Sequence, residues 1–183
     1  MKQYEGRLII HTGSMFSGKT SALIEELRRF KFAKYKTLLF KPVIDKRYSE
    51  TEVITHTKTN SHQAIPIKYL DEILEYDTDV YGLDEFQFYQ SKRNITEILN
   101  ELLDKNKIII IAGLDIDYKG NAFENMKIVM PIADYVYKHH AICVICGEDA
   151  WISHRTSNET DRIVVGADDK YIPLCRKCYN KQR

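Results

Sequence analysis

Long hydrophobic runs are missing from this sequence of 183 residues. The longest apolar stretch, Ile108 to Ala112, suits a buried strand and falls far short of a membrane span. Strong charge of either sign is missing too. The formal net charge is +1, too little to hold nucleic acid by field alone. The first residues, Met1 to Arg7, are polar and carry no apolar signal segment, so a cytoplasmic location is expected. Internal repeats and low-complexity linkers are absent. Cysteine does not occur before Cys143; in a secreted protein the four cysteines could mean two disulfides, whereas in a reducing cytosol two close Cys-x-x-Cys pairs point to a metal. What remains is ordinary globular composition, 44% hydrophobic and 29% charged, with length for one substantial core and a small appended module.

The chain alternates strand-like and helix-like segments. Arg7 to Thr12 is a β-branched apolar run, and Lys19 to Phe32 carries Leu23, Ile24, Leu27 and Phe30 at helical spacing. Lys36 to Lys41, Ile65 to Lys68, Val80 to Asp84 and Ile108 to Ala112 read as strands, with a further short one at Val53 to Thr55. Leu70 to Tyr76 reads as a short helix and Asn94 to Leu103 as an amphipathic one. This order predicts an α/β fold, a mostly parallel sheet with flanking helices, and the G-x-x-x-x-G-K-[ST] match at Gly13 to Thr20 makes it the P-loop NTPase type. Near Ala141 the character changes to paired cysteines and short polar pieces. The expected division is therefore 1–140, an ATP-binding α/β domain, and 141–183, a small zinc-binding lobe.

Gly13-Ser14-Met15-Phe16-Ser17-Gly18-Lys19-Thr20 satisfies G-x-x-x-x-G-K-[ST] between a strand and a helix. Glycines at both ends let successive N–H groups turn inward, and the helix adds its positive dipole end. Lys19 is placed to reach β- and γ-phosphates, and Thr20 to ligate Mg²⁺. Asp84 and Glu85 close the next informative strand, at the edge where ligands bind in a parallel sheet. Asp84 suits Mg²⁺, and Glu85 suits a general base. Such a base activates water in an ATPase or a substrate hydroxyl in a kinase, and the pair alone does not choose.

Cys143-x-x-Cys146 and Cys175-x-x-Cys178 have the spacing of a four-thiolate zinc site. The alternative is reduced, metal-free core cysteine. Such a site would pin both ends of the loop between the pairs and leave its middle free to act on a ligand. His139, His140 and His154 read as surface histidines rather than ligands.

With these features in order, the sequence resembles the zinc-containing, type II thymidine kinases along nearly its whole length. The likeness rests on Met15-Phe16-Ser17 inside the phosphate loop, Asp45-Lys46-Arg47-Tyr48, Asp84-Glu85-Phe86-Gln87-Phe88-Tyr89, Gly113-Leu114-Asp115, and Gly166-Ala167-Asp168-Asp169-Lys170-Tyr171 ahead of Cys175. The resemblance implies transfer of the ATP γ-phosphate to the 5′-hydroxyl of thymidine, with Glu85 as base and deoxyuridine also accepted. It implies that Phe88 stacks on thymine, that Met15, Leu114 and Ser153 surround the 5-methyl, and that Tyr118 stands near the nucleoside. Tyr171 would contribute from the loop that closes over the base like a lasso, and Arg47 would lie near the phosphates. Structural zinc, magnesium with ATP, a homotetramer and feedback inhibition by thymidine triphosphate are implied as well, with no nucleic acid or membrane partner. Phe86, Tyr118 and Ser153 depart from the family's usual small residue, phenylalanine and threonine, which bears on substrate breadth rather than reaction type. The competing expectation is a P-loop ATPase whose zinc module grips nucleic acid through Arg176, Lys177, Lys181 and Arg183.

Overall fold

The computed structural model describes residues 5–44, 52–54, 61–157, 161 and 170–182. Along the chain these residues form β1 (Arg7–Gly13), α1 (Lys19–Phe32), β2 (Thr37–Pro42), β3 (Glu52–Ile54), β4 (Ser61–Gln63), β5 (Ile65–Ile67), β6 (Val80–Leu83), α2 (Ile95–Leu103) and β7 (Ile108–Gly113). They continue with α3 (Glu124–Val129), β8 (Tyr135–His139), β9 (Ala141–Ile142), β10 (Asp149–Ala150), β11 (Ile152–Arg155), β12 (Tyr171–Leu174) and α4 (Arg176–Gln182). The segment Leu70–Glu75, read as a short helix from sequence, is 3₁₀. None of the described helices is long and apolar enough to cross a membrane.

Six strands build one sheet in the order β5-β2-β6-β7-β1-β8, and every pairing in it is parallel. Parallel strands need crossovers, and the helices supply them. Side chains alternate across the sheet. Leu8, Ile10, Phe40, Leu83, Ile109 and Ile111 face one side, under α2 and α3. Ile9, Leu39, Val80, Ile108 and Ile110 face the other, under Leu23, Ile24 and Leu27 of α1. Each such buried aliphatic contributes roughly 1.5–3 kcal/mol, so both faces hold their helices. At Gly82 on β6 any side chain would collide with Leu27, at 2.7 Å from its Cδ1; glycine lets α1 lie directly on the sheet. The start of α2 is fixed by Asn94, whose Oδ1 accepts the Thr96 N–H at 2.8 Å, a cap worth about 1 kcal/mol.

A third apolar cluster begins at Ala141 and gathers Cys143, Ala150, Ile152, Leu174, Cys175, Cys178 and Tyr179. It is framed by the antiparallel pairs β9–β10 and β11–β12. Phe16, at the tip of the loop after β1, packs against this cluster.

Candidate active site

The loop after β1 turns because Gly13 takes φ 138 and Phe16 takes φ 65. A side chain at Gly13 would run into the His139 carbonyl on the neighbouring β8, so glycine is required there on two counts. Lys19 is buried at the head of α1, and its Nζ donates to the Ser14 carbonyl at 3.0 Å. The Ser14 and Ser17 hydroxyls are buried with no hydrogen-bond partner among the described residues. Unpaired buried hydroxyls beside a buried ammonium and a helix N-terminus fit an anion such as a phosphate.

The carboxylate strand β6 is not next to β1; β7 lies between them. The first turn of α1 bridges the gap. Thr20 Oγ1 donates to Asp84 at 3.1 Å to Oδ1. Hydroxyl and carboxylate therefore converge as a pair that could hold a hard divalent cation. Glu85 follows in the left-handed region, at φ 50 and ψ 45, a conformation that costs a non-glycine residue about 1–2 kcal/mol. Such strain gathers where structure holds a side chain in a working position. The carboxylate is held: Gln87 Nε2 donates to Glu85 Oε2 at 2.6 Å. Gln87 Oε1 in turn accepts the Leu114 N–H at 3.0 Å.

The residues expected around a nucleoside come from four parts of the chain. The Met15 N–H donates to Ser153 Oγ at 2.8 Å, joining the phosphate loop to β11. Phe88 packs edge-on against Phe123, with ring centres 6.2 Å apart. Leu114 and Tyr118 sit on the loop after β7, which Asp117 Oδ1 ties down by accepting the Lys119 and Asn121 N–H groups at 3.0 and 2.9 Å. The Tyr179 hydroxyl donates to the Tyr118 carbonyl at 3.2 Å. Tyr171 starts β12 opposite Arg155. Arg47, with the rest of 45–48, and residues 166–169 lie outside the described residues.

The sulfur atoms of Cys143, Cys146, Cys175 and Cys178 lie within 4.8 Å of one another. Tetrahedral zinc with Zn–S near 2.3 Å spaces its sulfurs by about 3.8 Å, and Cys146 and Cys175 are 3.5 Å apart. That is far beyond a disulfide bond, and all four cysteines are free. The set fits zinc, and four thiolates leave it no open position for catalysis.

Sequence reasoning passed over several residues of this region. Gln87 stands in the motif that carries the resemblance but takes no role from it, and Arg155 is a polar residue with no spacing signal of its own. His139 is half-buried on β8, not a plain surface histidine, and its Nε2 lies 2.9 Å from Nδ1 of buried His11. Burial, and then the nearby His139, pull the His11 pKa down to about 4. Burial lowers that of His139 as well, helped by Lys19 and His140.

A family model described as thymidine kinase matches residues 6–179. A thymidine kinase of Bacteroides fragilis is 44% identical over 178 residues, covering 96% of this chain and 88% of its own. One from Bacteroides thetaiotaomicron is 43% identical, covering 97% and 89%. One from a Rhodothermus species is 41% identical, covering 97% and 83%. Among solved structures, the flagellar accessory protein FlaH of Methanocaldococcus jannaschii superposes with a TM-score of 0.53 at 16% identity, over 80% of this chain and 76% of its own. That likeness concerns the fold alone.

Proposed function

The chain belongs to the thymidine kinase family, and on that premise we propose that it passes the γ-phosphoryl group of ATP to the 5′-hydroxyl of thymidine with Glu85 as the base. It is an enzyme that phosphorylates thymidine from ATP. The observation that supports the finer reading is the bridge from Glu85 through Gln87 to Leu114, which ties the carboxylate to the loop expected beside the thymine.

In this reading Gly13 to Thr20 cradle the phosphates with backbone N–H groups, and the Lys19 ammonium offsets charge on the transferring group. Thr20 and Asp84 would hold magnesium, which would supply positive charge to offset that of the phosphates. Glu85 takes the proton from the 5′-hydroxyl as its oxygen bonds to the γ-phosphorus and the bond to the β-phosphate oxygen breaks. A buried carboxylate already anchored by an amide loses little freedom in reaching that geometry. Phe88 stacks on the base, and Met15, Leu114, Ser153, Tyr118 and Tyr171 enclose it. Cys143, Cys146, Cys175 and Cys178 would hold zinc, which would crosslink the base of the loop between the two pairs.

The same reading carries the remaining expectations. Residues 1–140 form the ATP-binding part and 141–183 the zinc lobe. Arg47 is expected near the phosphates, deoxyuridine as a second substrate, and thymidine triphosphate as a feedback inhibitor. The enzyme is a cytoplasmic homotetramer with no nucleic-acid partner. ATP turnover with thymidine, set against turnover with single-stranded DNA, tests the reading. Thymidine-dependent ADP release with thymidine monophosphate as product is expected. Stimulation by DNA without a phosphorylated nucleoside would overturn it.

A further inference from the structure

Arg155 stands at a junction that the roles above do not use. It lies on β11, 5% exposed. Its guanidinium carbon sits 3.8 Å from the centre of the Tyr118 ring. Its Nη2 and Nε donate to the Tyr171 hydroxyl at 2.7 and 3.2 Å, and its Nη1 donates to the Asp161 carbonyl. One side chain thus joins Tyr118, from the loop after β7, to Tyr171, at the start of β12.

Only arginine does both. Its planar fork presents N–H donors along the edge and a cationic face to an aromatic ring, whereas a lysine ammonium offers a single point charge. Buried among these partners, the fork restrains both rings, Tyr118 by stacking on its face and Tyr171 through its hydroxyl. Two rings already in place spare an arriving ligand the entropy of ordering them, the usual source of affinity from preorganisation.

We propose that Arg155 is a positioning residue for the nucleoside: it sets Tyr118 and Tyr171 for the base without touching the base or the phosphates itself. The proposal rests on reading those tyrosines as nucleoside-pocket residues. Its test is the KM for thymidine and the KM for ATP, measured on the zinc-loaded full chain. Arg155→Met should raise the thymidine KM about tenfold or more and move the ATP KM less than about twofold. Arg155→Lys should fall between, and Tyr171→Phe should add nothing to Arg155→Met, because the two act through one contact. A thymidine KM within about twofold of wild type in Arg155→Met would overturn the proposal. So would a matched rise in both KM values with loss of zinc, which marks a general structural role. If Arg155→Met does not fold, Arg155→Lys and Tyr171→Phe carry the test, with the same expected asymmetry between the two substrates. Tyr118→Leu separates the two readings. If it and Tyr171→Phe leave the thymidine KM unchanged, the pocket assignment falls and takes the proposal with it. If they raise it and the Arg155 variants do not, the proposal alone falls.

Discussion

Gln87 Nε2 lies 2.6 Å from Glu85 Oε2, and the other end of the same amide accepts the Leu114 N–H at 3.0 Å. A single side chain therefore fixes both the carboxylate and the backbone of the loop after β7. Gln87→Leu removes the donor and leaves the carboxylate oriented only by its remaining contacts. The expected result is a fall in kcat of about ten- to a hundredfold with a smaller change in the thymidine KM. Added to Glu85→Gln, the substitution should cost little more, since a residue that acts through the base has nothing left to position. Full additivity of the two losses would argue that Gln87 serves some other part of the site.

The histidine pair makes a prediction about pH. His11 and His139 share one hydrogen bond, so one nitrogen must accept. In the folded chain the His11 pKa is drawn from 6.5 down to about 4, by burial first and by His139 second. The unfolded chain therefore binds more protons within that window. Stability should rise with pH through it and be lost as pH falls from 6.5 toward 4. Thermal melts across that range should show the fall in Tm, and His11→Gln should flatten it. Equal slopes in both proteins would assign the acid lability elsewhere.

Much of this architecture could be read before the structure. The phosphate-loop strand, α1, β6, α2 and β7 are apolar segments whose period matches their burial, because each faces the core. The cysteine spacing announced its cluster, because metal ligation constrains spacing directly. The edge strand β8 was not legible. Tyr135, Val136 and Tyr137 are half exposed and Lys138 and His139 break the pattern, since an edge strand has a neighbour on one side only. The insertion of β7 between the phosphate loop and the carboxylates was equally hidden, because strand order is a long-range property that local pattern does not encode. Gln87 and Arg155 act through contacts far along the chain, and nothing near them in sequence marks the partner.

The four-cysteine cluster predicts about one zinc per chain in protein purified without added metal. Cys146→Ser should lose most of it and loosen the cluster around Ile152, Leu174 and Tyr179, which a lower Tm would register. Fully active, metal-free enzyme would exclude a structural zinc.

Selectivity follows from the kind of pocket. One missing methyl in an apolar site is worth about 1–3 kcal/mol, so deoxyuridine should trail thymidine by about 10–200-fold in kcat/KM. Cytosine reverses donor and acceptor at the ring edge and leaves buried groups unpaired, so deoxycytidine should fall further behind. If Phe88, Met15, Leu114 and Tyr118 enclose the base as proposed, purine nucleosides should be excluded by size. Specificity constants for the five nucleosides at one ATP concentration check the order. Deoxycytidine used as well as thymidine would contradict the pocket while leaving the phosphate loop intact.

The central claim is that Glu85 is the base in phosphoryl transfer to thymidine. Glu85→Gln keeps the shape and removes the proton acceptor, so single-turnover formation of thymidine monophosphate is the most direct measurement, made beside a check that ATP and thymidine still bind. The account predicts a loss of about a hundred- to ten-thousandfold in rate with binding retained. A Glu85→Gln enzyme that forms thymidine monophosphate at near the wild-type rate would contradict it.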